Sequence, residues 1–393
     1  MNSLLIVGSH NEYIIRGEHM KEIKIGLIGT GWMGKSHSKS FLNAYFHFGE
    51  TYGKPVFEIV SDINEESALA VQEQFGFKRY TNTWQDVVSD SQVDLVDITT
   101  PNAFHYEIAK AALLNGKHIY CEKPLSLSAE QSKELVEIAK TMGVINYVGF
   151  NNVMNPATKY IKELVDSGEL GEITKVTGTY DQDALLDENL PITWRHINKL
   201  SGSGTLGDLG SHLLSVLQYT LGDMESVNAI KRTVIKERPI NNHSKEKQVV
   251  ENDDVVALLA EYKNGAIATL SSSRIATGRK NYLAYEIQGT LGSVYYSLEQ
   301  LNEVHVYFKH DNNRDRGFRR VLLGTNHEGY STFQPADGIS IGFNDFKILE
   351  THEVLSSIML NKQPICNFEF GYKIDKIIES ILKSSESKQW EIV

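Results

Sequence analysis

The nine residues GLIGTGWMG (26–34) close a short apolar run and open a helical pattern, and no other stretch narrows the fold as much. In that setting the spacing G-x-G-x-x-G has a physical reading. Gly29 permits a tight turn, Gly31 lets the backbone approach a pyrophosphate, Gly34 lets the helix pack on the strand, and the helix N-terminus attracts the anion. The bland alternative is an ordinary glycine turn. The residues downstream argue against it: IKIGLIG, VFEIVSD, VDLVDIT, KHIYCE and VINYVGF are apolar runs separated by amphipathic segments, a βαβ series from Ile23 to Phe150. Runs that are apolar throughout imply burial on both faces, hence a doubly wound parallel sheet covered by helices.

At the end of the second run, EIVSD supplies Asp62, placed to accept from an adenosine ribose 2′-hydroxyl and to repel a 2′-phosphate, which favours NAD over NADP. The segment NAYFHFGETYGKPVF makes the spacing from the glycines longer than usual, and Asp62 reads equally as a turn or cap residue. A helix over 129–142 is marked by Ser128 with Gln131 at its start and Gly143 at its end.

Past Asn155-Pro156, a cap and first turn for a helix over 156–167, strands dominate. ITKVTGTYD, VNAIKRTVI, DVVALLAEY, AIATLSSSR, YLAYEIQG and SVYYSL come at short intervals, and Asn264-Gly265 reads as a hairpin turn. The pattern implies an open, largely antiparallel sheet. Residues 236–252 read as a polar loop, 343–360 and 369–384 as helices, and the end of the chain as a polar tail. The expected organisation is an extension at 1–20, a nucleotide-binding α/β domain at 21–150, and a substrate-binding α+β domain at 151–393. The broad sheet face predicts a homodimer or homotetramer.

Composition removes several function classes. A formal net charge of −11 offers nothing to nucleic acid, and the basic runs Arg314–Arg320 and Lys245–Lys247 read as solvated loops. Two cysteines, Cys121 and Cys366, are too few for a disulfide framework or a thiolate metal cage and suit a reducing cytoplasm. Residues 1–20 have no signal-peptide pattern, and no apolar stretch approaches the roughly 20 residues that span a bilayer.

Chemistry concentrates in two places. YCEKPLS puts Lys123 at the carboxyl edge of the parallel sheet, and SGSGTLGDLGSHLL (201–214) delivers Asp208 and His212, four residues apart, from a glycine-rich start expected to be flexible. Taken alone, that pair reads as a helix cap and a satisfied histidine, and no third ligand clusters nearby to make a zinc site. TYDQDALLD and PITWRHINK form a long loop expected to bring Asp181, Asp183, Trp194, Arg195 and His196 near the cleft. Trp194 and Arg195 read either as a sugar-stacking ring with a hydroxyl binder, or as packing and ion-pair residues.

The ordered set GTGWMG, VDITTPNAFH, YCEKPLS, SGELGEI and GDLGSHLL resembles the Gfo/Idh/MocA oxidoreductases, over residues 23 to about 385. The QD…WR pattern resembles the inositol and levoglucosan-type sugar dehydrogenase branch. The resemblance implies a Rossmann domain, a C-terminal domain with a large open sheet, and NAD(P)-dependent oxidation of a secondary alcohol of a sugar or cyclitol. It implies Lys123, Asp208 and His212 as the catalytic trio. It further implies cofactor contacts at Gly29, Thr30, Gly31, Trp32, Met33, Gly34, Asp62, Thr100, Pro101, Asn102, His105, Glu122 and Lys123, and substrate contacts at Lys123, Asn151, Trp194, Arg195, Asp208 and His212. Asn152 and Val153 depart from the aromatic residue and arginine that relatives often carry there, which bears on the substrate. In this reading His212 takes the hydroxyl proton, Asp208 binds substrate hydroxyls or holds the imidazole, and Lys123 stabilises alkoxide character. A nonenzymatic nucleotide or sugar sensor is the alternative on the same fold; keeping all three proton-handling groups argues for the enzyme.

Overall fold

The computed structural model describes residues 22–49 and 53–393, so the expected extension at 1–20 lies outside the described residues. The first half is built from β1 (Glu22–Ile28), α1 (Trp32–Phe48), β2 (Lys54–Ser61), α2 (Glu65–Phe75), β3 (Arg79–Thr81) and α3 (Trp84–Ser89). It continues with β4 (Leu95–Ile98), α4 (His105–Leu114), β5 (His118–Cys121), α5 (Ala129–Met142) and β6 (Asn146–Val148). Its six strands are all parallel, in the order β3-β2-β1-β4-β5-β6. The order reverses between β1 and β4, which opens a crevice at the carboxyl ends of the strands. The apolar runs behave as expected: β4 and β6 are buried throughout, with helices on both faces. The lengthened connection after the glycines is largely helix, since α1 runs on to Phe48. The three-residue edge strand β3 has no apolar run to announce it: only Arg-Tyr-Thr pairs there and none of it is buried.

The second half comprises α6 (Pro156–Asp166), β7 (Ile173–Asp181), α7 (Asn198–Ser201), a π-helical turn (Leu206–Gly210), α8 (Ser211–Leu221) and β8 (Met224–Arg232). Next come β9 (Glu237–Pro239), β10 (Lys247–Val249), β11 (Val255–Tyr262), β12 (Ile267–Ser273), β13 (Tyr282–Gly289) and β14 (Gly292–Ser297). The chain closes with β15 (Glu303–Phe308), β16 (Arg319–Leu322), α9 (Phe343–Leu360), α10 (Phe368–Ser387) and β17 (Glu391–Ile392). Nine strands form one sheet, β16-β15-β14-β13-β7-β12-β11-β8-β17, antiparallel except where β12 meets β7. Here the strands alternate: β11 buries Val256, Leu258, Ala260 and Tyr262 and exposes Leu259 and Glu261. One face therefore packs on α8 and α10 while the other is left uncovered.

Local chemistry explains the boundaries. Ser128 accepts from Gln131 N at the start of α5, with Gly143 left-handed at its end; Asn155 accepts from Ala157 N ahead of Pro156. The Asn264-Gly265 turn joins β11 to β12, with Gly265 at φ 88°. Three expectations need correcting. The stretch 236–252 holds the antiparallel ribbon β9–β10 rather than a plain loop, the basic run 314–320 enters strand β16, and the tail ends as β17 against β8. These pieces are short and mostly polar, so their pairing has no apolar alternation to announce it. A single apolar cluster runs from Ile25, Leu95 and Ile119 through Tyr147 and Phe150 to Leu213, Leu217 and Val256, joining the two halves.

Candidate active site

The glycine turn has the shape a dinucleotide needs. A Cβ on Gly34 would fall 2.1 Å from Gly29 O, whereas the space beside Gly31 is open. The start of α1 has no side-chain cap and no acidic residue, so its amide donors are free for an anion. Thr100 Oγ1 at the end of β4 is buried without a partner. Those observations fit a bound dinucleotide. Met33 lies in the first turn of α1 and Pro101 just after β4. Two exposed apolar side chains border the cradle, Trp32 at 71% and Ile63 at 93%. Ile63 escaped the sequence reading; a lone isoleucine directly after an acidic strand end, in a polar turn, was the available signal.

Asp62 fills the turn role and leaves room for the ribose one. Its Oδ2 accepts from Thr30 N at 2.9 Å and Thr30 Oγ1 at 2.6 Å, and its Oδ1 accepts from Asn64 N at 2.9 Å. The carboxylate thus ties the glycine turn to β2. With roughly four acceptor directions on a carboxylate, one remains for a ribose hydroxyl.

Three expected cofactor contacts face elsewhere. The His105 ring is fully buried, with its nitrogens 2.7 Å from Pro124 O and 2.9 Å from Thr100 O, so it braces two loops. Asn102 donates to Ser201 O at 3.0 Å and joins the β4 loop to the SGSG segment. Glu122 is locked beneath the site: its Oε1 lies 2.9 Å from His37 Nε2 and 2.7 Å from Lys347 Nζ, and its Oε2 accepts from Lys123 N at 3.3 Å. His37 Nδ1 lies 2.8 Å from Asp97, and Lys347 also pairs with Glu350 at 3.1 Å. Burial opposes an imidazolium here, but Asp97 beside it and the hydrogen bonds to Asp97 and Glu122 raise His37 to about 9. Burial likewise opposes the Glu122 carboxylate, and the Lys347 charge overrides it, holding the group well below its ordinary range. Sequence reasoning missed this relay because its members lie on four separate elements. The one local hint is polar residues at interior helix positions, His37 in α1 and Lys347 with Glu350 in α9.

Above the relay the two chemical motifs meet. Lys123 Nζ donates to Asp208 O at 2.7 Å and to Asp208 Oδ1 at 3.1 Å. Arg195 Nε stands 3.5 Å from Asp208 Oδ2 and its guanidinium lies over the Trp194 ring at 4.5 Å. Asp208 is carried by the π-helical turn, in which Ser211 N reaches Leu206 O, five residues back. Burial would raise the Asp208 carboxyl, yet the charges of Lys123 and Arg195 and the Lys123 hydrogen bond bring it down to about 2. The carboxylate is engaged by these two cations rather than by the imidazole, so of the two roles expected for Asp208, orienting His212 by a direct hydrogen bond is not the one seen. The His212 ring stands edge-on to Phe150 and Tyr180, at 6.4 and 6.1 Å. Burial and then the Lys123 charge push it down to about 3, leaving a neutral imidazole.

Around this core, Asn151 and Asn152 are buried on a short 3-10 turn, and Asn152 Oδ1 lacks a partner. His196 does not reach the cleft; its ring is buried and caps its own turn through Thr193. Asp183 is tied to Lys280 at 2.6 Å, and Asp181 is half-buried at the end of β7. The glycine-rich approach to Asp208 is held rather than flexible: Gly204 N and Leu206 N both donate to the Asp253 carboxylate. Both cysteines are buried free thiols.

Residues 23–150 match the oxidoreductase family with an NAD-binding Rossmann fold, and residues 158–295 match the GFO/IDH/MocA C-terminal domain. Levoglucosan dehydrogenase of Pseudarthrobacter phenanthrenivorans is 34% identical over 382 residues, 94% of this chain and 98% of that protein. The scyllo-inositol 2-dehydrogenase (NAD+) of Bacillus subtilis is 30% identical over 287 residues, 72% of this chain and 76% of that one. A solved levoglucosan dehydrogenase in complex with NADH and levoglucosan superposes with a TM-score of 0.91 at 35% identity, covering 95% of this chain and 100% of the other. An NAD-binding oxidoreductase from Klebsiella pneumoniae gives 0.90 at 37%, covering 95% and 99%.

Proposed function

This chain belongs to the Gfo/Idh/MocA oxidoreductase family, and from that premise we propose that it oxidises one secondary hydroxyl of a pyranose sugar or cyclitol to a ketone with NAD. The observation that carries the reading is the meeting of Lys123 with Asp208, 85 residues apart in the chain, beside a neutral His212. Bound at the glycine turn, with Asp62 toward its adenosine ribose, NAD supplies the hydride acceptor. His212, uncharged, takes the hydroxyl proton. Lys123, already oriented by two bonds to Asp208, donates to the reacting oxygen. The Lys123 ammonium favours an oxygen gaining negative charge, while Arg195 balances the Asp208 carboxylate from its other oxygen. Trp194 and Arg195 form the sugar-facing wall, and Asn151 is a further sugar contact.

The test is a screen of NAD reduction across levoglucosan, inositol isomers, aldoses and glucosides. Turnover with any of them supports the reading, while tight NAD binding without reduction of NAD by any would move the chain to the sensor class. We further propose the division at residues 150 and 151, a cytoplasmic setting that suits the free thiols, and a homodimer or homotetramer formed through the uncovered sheet face. That face carries Ile230, Leu259 and Ile267, more than half exposed except Leu259 at 50%. A solution mass equal to one chain would remove the assembly from the proposal. Among the described residues no helix is long and apolar enough to cross a membrane.

A further inference from the structure

Four consecutive residues between the β9–β10 ribbon and β11, Glu251-Asn252-Asp253-Asp254, each bind a different part of the substrate half. Glu251 Oε2 accepts from Asn198 N at 2.6 Å. Asn252 Nδ2 donates to Arg195 O at 2.9 Å and to Ser201 Oγ at 2.6 Å. Asp253 accepts from Gly204 N at 2.8 Å and Leu206 N at 2.9 Å through its two carboxylate oxygens, and from Thr205 N at 2.9 Å through its carbonyl. Asp254 pairs with Arg274 Nε at 2.8 Å, and Arg274 Nη1 in turn reaches Arg195 O at 3.4 Å. Asn252, Asp253 and Asp254 are 2%, 4% and 0% exposed, so these are interior bonds. The approach at residue 204 is so close that a Cβ there would lie 1.9 Å from Asp253 O.

We propose that Asn252 and Asp253 are positioning residues for the reaction, Asp253 fixing the wide turn that presents Asp208 and His212, and Asn252 fixing the loop that presents Arg195. The inference rests on the dehydrogenase reading above. The first amides of a helical segment have no acceptor within it, and Asp253 supplies acceptors for three of them together. Releasing that end lets Asp208 shift against Lys123, and small displacements of reacting groups are costly in rate. Asn252 instead holds the main chain of Arg195, whose side chain faces the sugar. Loosening it weakens sugar binding and leaves proton transfer in place. Neither residue touches the glycine cradle, so NAD affinity is outside their reach.

The experiment measures kcat, sugar KM and NAD Kd for Asp253→Asn and Asn252→Ala with levoglucosan, or with whichever sugar of the panel supports turnover, alongside His212→Ala and thermal melting. Asp253→Asn replaces an acceptor with a donor facing an N–H, and kcat falls about 100-fold with sugar KM within about threefold. Asn252→Ala raises sugar KM about tenfold with kcat within about threefold, and NAD Kd is unchanged in both. Wild-type kcat in Asp253→Asn, wild-type KM in Asn252→Ala, or a joint loss of all three parameters in step with melting temperature overturns the proposal. Should Asp253→Asn not fold, Asp253→Ser is read by the same criteria, since it keeps one acceptor. Retained turnover in His212→Ala defeats the dehydrogenase mechanism itself. If His212→Ala is inactive and the Asp253 variant is normal, only the positioning role fails.

Discussion

The two sheets bring charge to one cleft by opposite means. Beneath the parallel sheet's edge, Glu122 is enclosed with His37, Asp97, Lys347 and Glu350, every one less than a tenth exposed. On the antiparallel side, Asp208 keeps 35% of its side-chain surface open and Arg195 keeps 43%. Low dielectric strengthens the first set and makes each member intolerant of losing its partner; the second set stays wet enough to exchange partners with a substrate. The difference separates a fixed electrostatic floor from a reactive surface. Lys123 is the residue that belongs to both, its amide on Glu122 and its ammonium on Asp208.

Substitutions can break that contrast. The largest effect is expected at the reactive surface: Lys123→Ala or His212→Ala lowers kcat by about 10² to 10⁴ with NAD Kd unchanged, read by steady-state kinetics and a binding titration. Near-normal turnover in either removes that residue from the mechanism. Next comes the floor. Lys347→Met strands buried carboxylates and destabilises by about 3–5 kcal/mol in denaturant unfolding. A loss below about 1 kcal/mol, the scale of exposed pairs, would show that water reaches the relay.

The pH profile sharpens the comparison further. With His212 held at about 3 and Asp208 at about 2, both are in their working forms throughout the neutral range. The acid limb of kcat/KM therefore does not fall near the ordinary histidine value of 6.5 but well below it. A limb at 6 to 7 that vanishes in His212→Ala would place the imidazole in a wetter environment than its burial implies. The smallest effect on fold stability is expected on the uncovered sheet face. Ile267→Asp leaves the unfolding free energy within about 0.5 kcal/mol, once corrected for assembly, and lowers the solution mass. An unchanged mass would acquit that patch as an interface.

The parallel half was legible because burial on both faces writes itself as uninterrupted apolar runs, and because Gly29, Gly31 and Gly34 have a steric meaning at fixed spacing. The major antiparallel strands were legible through alternation, as in β11 and β12. β9, β10 and β17 were not: each is two or three residues, with no period to read. In the site, Lys123, Asp208 and His212 could be picked out because each stands in a short motif. His37, Asp97 and Lys347 could not, since long-range electrostatic pairing leaves no local trace. His105 and His196 show the converse. They are polar residues inside recognised stretches, but their environments are interior, and sequence spacing does not report the direction of a side chain.

The wide turn at Leu206–Gly210 makes this site sensitive to how many residues the chain has there as well as to which ones. An ordinary helix advances about 100° per residue. Removing one residue from the turn would let it close to normal pitch and rotate Asp208 by about that angle relative to α8. His212 would keep its place while Asp208 turned away from Lys123. A chain one glycine shorter, with every reacting group retained, would then have its carboxylate and its base on different faces. In drift among descendants of this sequence, the turn therefore constrains the number of residues as tightly as it constrains Asp208 itself and the crowded Gly207.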